Sequence, residues 1–171
     1  MSSDLNEAIL KTIGRWGLIL LVIFLLLILS SLPLNVFNIG SVRPAFMLMA
    51  VYYLAILRPS IIPALVVFII GITLDLISSY PIGLNALTLV AVQWIIKSQR
   101  RFLAGQQFKV LWGGFTLICF AVNTLHWGIF SLFNFNAFSF IPTIISVLLS
   151  SFLFPLVALP LSQVNKALSD E

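Results

Sequence analysis

The sequence predicts an all-α integral membrane protein, a bundle of about six transmembrane helices. Three observations carry that prediction. The 171 residues are 61% hydrophobic and only 8% charged, with a mean hydropathy of +1.15, whereas a soluble domain carries about 25% charged residues. Apolar runs recur along the whole chain, separated by short segments rich in Pro, Gly, Asn and Ser. The nine basic residues flank those runs, so the net charge of +4 reads as membrane topology and not as affinity for nucleic acid. The whole chain, residues 1–171, reads as one polytopic domain with short cytoplasmic tails at about 1–15 and 163–171.

Met1 to Lys11 is a polar lead-in. The first helix spans about Trp16–Leu32, nearly all Leu, Ile and Val; with no small-residue cleavage site behind it, it reads as retained and not as a signal peptide. Pro33–Ser41 is a turn-rich connector. Arg43-Pro44 opens the second helix, because proline suits a first turn whose N–H has no partner, and Arg58-Pro59 ends it. Pro63 starts the third, which carries Gly71 and Asp75. After Tyr80-Pro81-Ile82-Gly83, the fourth helix runs from about Leu84 to Ile96. A basic connector with Lys97, Arg100, Arg101 and Lys109 follows. The fifth helix covers about Val110–Leu132, and the sixth about Phe140–Leu161, interrupted and kinked by Pro155 and Pro160. The second and fourth runs are short for a hydrocarbon layer about 30 Å thick, and the count falls to five if either is re-entrant. Six crossings put both termini in the cytoplasm, with eight basic residues inside and only Arg43 outside. The opposite orientation inverts that bias.

Asp75 is the only acidic residue between Glu7 and Asp170. A carboxylate in a membrane helix costs roughly 2.5–3.5 kcal/mol at the bilayer centre, so it needs a partner. Gly71, Asp75 and Ser78 share one helical face, which should turn toward other helices. Two readings follow for the charge: an ion pair with Arg43, which lies at similar depth, or an Arg43 that snorkels to headgroups while Asp75 meets water in a notch. The fifth helix has its own polar face of Thr116, Cys119, Asn123 and His126. His126 acts as a proton relay if Asp75 is its neighbour; the plainer reading is an interhelical hydrogen bond. Thr143, Ser146 and Ser150 permit close packing of the sixth helix.

A single cysteine, Cys119, inside an apolar run excludes a disulfide framework and a thiolate metal site. Phosphate loops, HExxH and GxSxG motifs are missing. No catalytic, cofactor-binding or metal-ligating residue is therefore expected, and the chain reads as a non-enzyme.

Arg43-Pro44, Arg58-Pro59 and the block Gly71-Ile-Thr-Leu-Asp75-Leu-Ile-Ser, followed by Ile82-Gly83-Leu-Asn85-Ala86-Leu87, resemble the MreD family of rod-shape proteins. The resemblance implies a multi-pass protein of the bacterial inner membrane, a scaffold in the machinery that builds lateral peptidoglycan. It implies direct binding to MreC, with MreB, RodA and a class B transpeptidase in the wider assembly and lipids around it. It also implies an architecture similar to the substrate-binding subunits of energy-coupling-factor vitamin transporters, and such a transporter subunit is the alternative function. Asp75, Arg43, Gly71, Gly83, Asn85, Asn123 and His126 are the candidate structural or partner-binding residues.

Overall fold

A computed structural model describes residues 24–30, 34–35, 41–57, 63–78, 81–134 and 139–167. The lead-in, most of the first helix, Arg58-Pro59 and the tail beyond residue 167 lie outside these. The architecture is helical: α1 (residues 24–30), α2 (Phe46–Leu57), α3 (Ala64–Ser78), α4 (Leu84–Leu103), α5 (Phe108–Asn134) and α6 (Ile141–Ala167). The connector after α1 carries a two-rung antiparallel ladder, β1 (Leu34–Asn35) against β2 (Ser41–Val42). The sequence marked it only as turn-rich.

The bundle is built around α2. Ten of its twelve residues are buried, as expected of a helix that is apolar all round. It packs against α4 on one side and α6 on the other, while α3 backs onto α4 and α5 onto α6. The backbone groups at the ends of a helix have no partner within it, and at α2 water does not have to satisfy them. Other helices do so instead. The N–H of Ala45 donates to Ser150 Oγ at 3.0 Å, and that of Met47 to Ser30 Oγ at 3.0 Å. Pro44 has no N–H to satisfy. At the far end Arg100 Nε donates to the Ile56 carbonyl at 2.9 Å. Halfway along, Tyr52 donates to Leu111 O at 2.9 Å and meets Phe115 and Phe154 edge-on, while those two rings stack on each other at 4.5 Å.

Two boundaries differ from expectation. The fourth helix does not stop at Ile96; α4 continues through Lys97, Arg100 and Arg101 to Leu103. Lysine and arginine are good helix formers, and only the apolar run ends at Ile96. The sixth helix is not interrupted by its prolines: α6 is continuous from Ile141 to Ala167. Pro155 leaves the Ser151 carbonyl without its intrahelical donor, and Trp112 Nε1 on α5 supplies one at 2.7 Å. The Thr116 and Ser151 hydroxyls add a second α5–α6 link at 2.6 Å. Trp112→Phe should therefore lower stability by about 1–3 kcal/mol, the loss for an orphaned buried acceptor. The same substitution in a Pro155→Ala background should be milder, because the restored Ala N–H replaces the lost donor. A double-mutant cycle on thermal midpoints in detergent measures this; equal losses in both backgrounds would show that the indole does not serve the proline.

α5 and α6 contain apolar stretches, Phe108–Leu132 and Ile141–Leu159, long enough to cross a membrane, while α2 and α3 are apolar but shorter.

Candidate functional site

The polar residues gather at one end of the bundle, where α3 turns into α4. Gly71 brings the two helices into backbone contact: a Cβ placed there would overlap Ala86 Cα and lie 2.6 Å from the Ala86 nitrogen. That approach delivers Asp75, fully buried, to the start of α4. The first N–H groups of any helix lack intrahelical acceptors. Here the residue at the cap position is Gly83, held at φ 101°, with no side chain to supply one. Asp75 supplies it from the neighbouring helix. Its Oδ2 accepts from Gly83 N–H at 2.8 Å, and its Oδ1 accepts from Asn85 N–H and Asn85 Nδ2, both at 2.9 Å. A negative charge at a helix N-terminus is also favoured by the helix dipole.

Arg43 has a matching task. Its Nη1 donates to the Ser78 carbonyl at 3.0 Å, so a cation sits at the C-terminal, negative end of α3. Arg43 and Asp75 are thus each engaged with a helix end. The acid holds the start of α4, and the base holds the end of α3. The Arg43 carbonyl is in turn held by Ser146 Oγ at 2.8 Å.

Asn123 Nδ2 bonds back to the Cys119 carbonyl at 2.9 Å, leaving its Oδ1 to face Ser146 Oγ at 3.3 Å. Ser146 has one hydroxyl hydrogen, and the shorter contact to Arg43 O is the better claim on it. His126 Nε2 lies 3.2 Å from Thr88 Oγ1. Because the Thr88 hydroxyl donates to Leu84 O at 2.6 Å, it can only accept from His126, which requires the Nε2–H tautomer. The contact ties α4 to α5.

Four of the seven candidates, Arg43, Asn85, Asn123 and His126, line one cavity of about 90 Å3 together with Ser30, Ser78 and Thr88. Gly71, Gly83 and Asp75 form the α3–α4 junction beside it. Ser30, Thr88, Arg100 and Trp112 carry interhelical bonds that sequence reasoning did not assign. A serine or threonine among leucines was the available signal for the first two. Among the described residues, no group of three His, Cys, Asp or Glu side chains is placed to hold a metal ion.

No curated protein and no solved structure matches the chain. A family model does, that of the rod shape-determining protein MreD, over residues 10–164. The match spans nearly the entire sequence, including every helix that builds the polar end, and so the chain belongs to the MreD family of rod shape-determining membrane proteins.

Proposed function

We propose that this chain is a non-enzymatic scaffold of the inner membrane that grips a transmembrane helix of MreC and helps organise lateral wall synthesis. MreB, RodA and a class B transpeptidase belong to the wider assembly in this reading. The chain crosses the bilayer six times with both ends in the cytoplasm. The placement of cations supports that orientation: Arg100, from the basic cluster, holds one end of α2, and Arg43 sits at the other.

The observation that carries the partner reading is the unused surface of α5. Only 11% of its most apolar stretch is buried inside the chain, against 39% for α6. Gly113, Leu117, Thr124 and Gly128 fall on one stripe of that helix. A Cβ at Gly113 or Gly128 would meet nothing within 4 Å, so neither glycine is needed for packing among the described residues, although each costs about 1 kcal/mol of helix stability relative to alanine. Against a partner helix, glycines allow the backbones to touch. A buried and fully bonded Asp75 supports an architectural role over a catalytic one. The polar cavity, at about 90 Å3, is far below the roughly 300–1,000 Å3 of ordinary ligand sites, so Arg43, Asn85, Asn123 and His126 do not enclose room for a polar solute of vitamin size.

Depleting the chain should round rod-shaped cells. Gly113→Leu/Gly128→Leu, present at normal membrane levels, should fail to restore rods and lose most co-purifying MreC. Rods persisting after depletion would overturn the scaffold role; normal MreC capture by the variant would overturn the α5 face.

A further inference from the structure

Five helices meet at the polar cavity: Ser30 comes from α1, Met47 from α2, Ser78 from α3, Asn85 from α4 and Asn123 from α5. Leu48, Leu74 and Leu89 on its wall are buried, whereas Arg43, Ser78 and Asn85 are partly exposed. The cavity therefore reaches the surface at the end where α3 turns into α4. Asp75 takes no part in it, being fully buried and away from its wall.

Three lining side chains have hydrogen-bonding capacity that the helices do not use. Ser30 Oγ accepts from Met47 N–H, and its own hydrogen meets no acceptor among the described residues. Asn85 gives its N–H and Nδ2 to Asp75, while among the described residues its Oδ1 receives no donor. Asn123 Oδ1 has the 3.3 Å contact to Ser146, whose hydrogen goes to the Arg43 carbonyl. One donor and two acceptors, on three different helices, thus border one space without bonding to each other. Polar cavities of sufficient size take up water, each molecule making about three hydrogen bonds, whereas apolar ones stay dry. The volume of about 90 Å3 accommodates roughly three waters at about 30 Å3 each. Water both donates and accepts, so a small cluster can take the Ser30 hydrogen and supply hydrogens to Asn85 and Asn123.

We infer that this cavity is a water-binding site, in which a cluster of ordered molecules bridges Ser30 of α1, Asn85 of α4 and Asn123 of α5. The site is independent of the partner face on α5. Two methionines of α2 make the test internal to the native chain. Met47 and Met49 are both buried, at 2% and 0% exposure, but Met47 lines the cavity and Met49 does not. A brief X-ray exposure generates hydroxyl radicals wherever water is bound, and these oxidise a neighbouring thioether to the sulfoxide. The full chain in lipid nanodiscs is irradiated and digested, and the sulfoxide at each methionine is counted by mass spectrometry. Met47 should oxidise several-fold faster than Met49. Ala45→Leu, which extends a side chain from the cavity wall, should displace the water and bring Met47 down to the rate of Met49. Equal rates in the native chain would overturn the assignment, as would a fast Met47 that the leucine leaves unchanged. The native comparison decides the matter even if Ala45→Leu does not fold.

Discussion

Gly71→Ala is expected to destabilise the chain by about 2 kcal/mol or more and to lower its level in membranes. The sign is the informative part, because glycine to alanine inside a helix ordinarily gains about 1 kcal/mol. Here the added methyl runs into Ala86 Cα, and into the Ala86 nitrogen at 2.6 Å. The obstacle is backbone, which has no rotamer to turn away, so α3 and α4 must separate. Overpacking of this kind costs about 1–3 kcal/mol by itself. The separation also pulls Asp75 away from the Gly83 and Asn85 N–H groups that it now meets at 2.8–2.9 Å, so the steric loss and the capping loss add. Gly113→Ala is the control, because a Cβ there meets nothing within 4 Å and the ordinary gain should appear. Thermal midpoints of the detergent-solubilised variants give the comparison. A Gly71→Ala midpoint at or above that of the native chain would mean that the helices do not touch at this point.

The membrane character of the chain was legible because lipid exposes what water hides: charges must leave the apolar runs, and the ends of the runs can be counted. Asp75 stood out for the same reason. The donors it meets were not legible, because two of the three are backbone N–H groups, which every residue but proline carries. A clue did exist. Gly83 begins α4 with no side chain able to cap it, and a helix start without its own cap in an apolar setting needs one from elsewhere. The central place of α2 was not legible, since a helix buried on every side has no polar face to give it periodicity. The extent of α4 was hidden by a different effect. Hydropathy ends a helix at the first charge, but Arg100 remains helical and turns its guanidinium to the Ile56 carbonyl. The prolines of α6 misled for a third reason: Pro155 breaks a hydrogen bond within α6, and the replacement comes from Trp112, forty-three positions earlier in the chain.

Asp75→Ala should be the most damaging single substitution, at about 2–6 kcal/mol, from two stranded backbone donors at about 1–3 kcal/mol each. The Asn85 amide can rotate to seek another acceptor, but the Gly83 and Asn85 N–H groups are fixed in the backbone and cannot. Asp75→Asn should fall between native and alanine: it keeps one acceptor oxygen, loses the other, and presents an NH2 to groups that are themselves donors. The exchange Arg43→Asp/Asp75→Arg separates capping from ion pairing. If the carboxylate's essential partner were the guanidinium, reversing the two would restore much of the lost stability. In the structure, arginine at position 75 would bring five donors to a site that already holds three, and an aspartate at position 43 would face the Ser78 carbonyl, an acceptor. Both caps would be inverted, so the exchange should be at least as damaging as the worse single change. Membrane abundance and thermal midpoint across the five variants, with Arg43→Asp and Asp75→Arg alone as references, read this out. Recovery in the exchanged chain would move the carboxylate from the start of α4 to the guanidinium and undo the account of how α3 and α4 are held together.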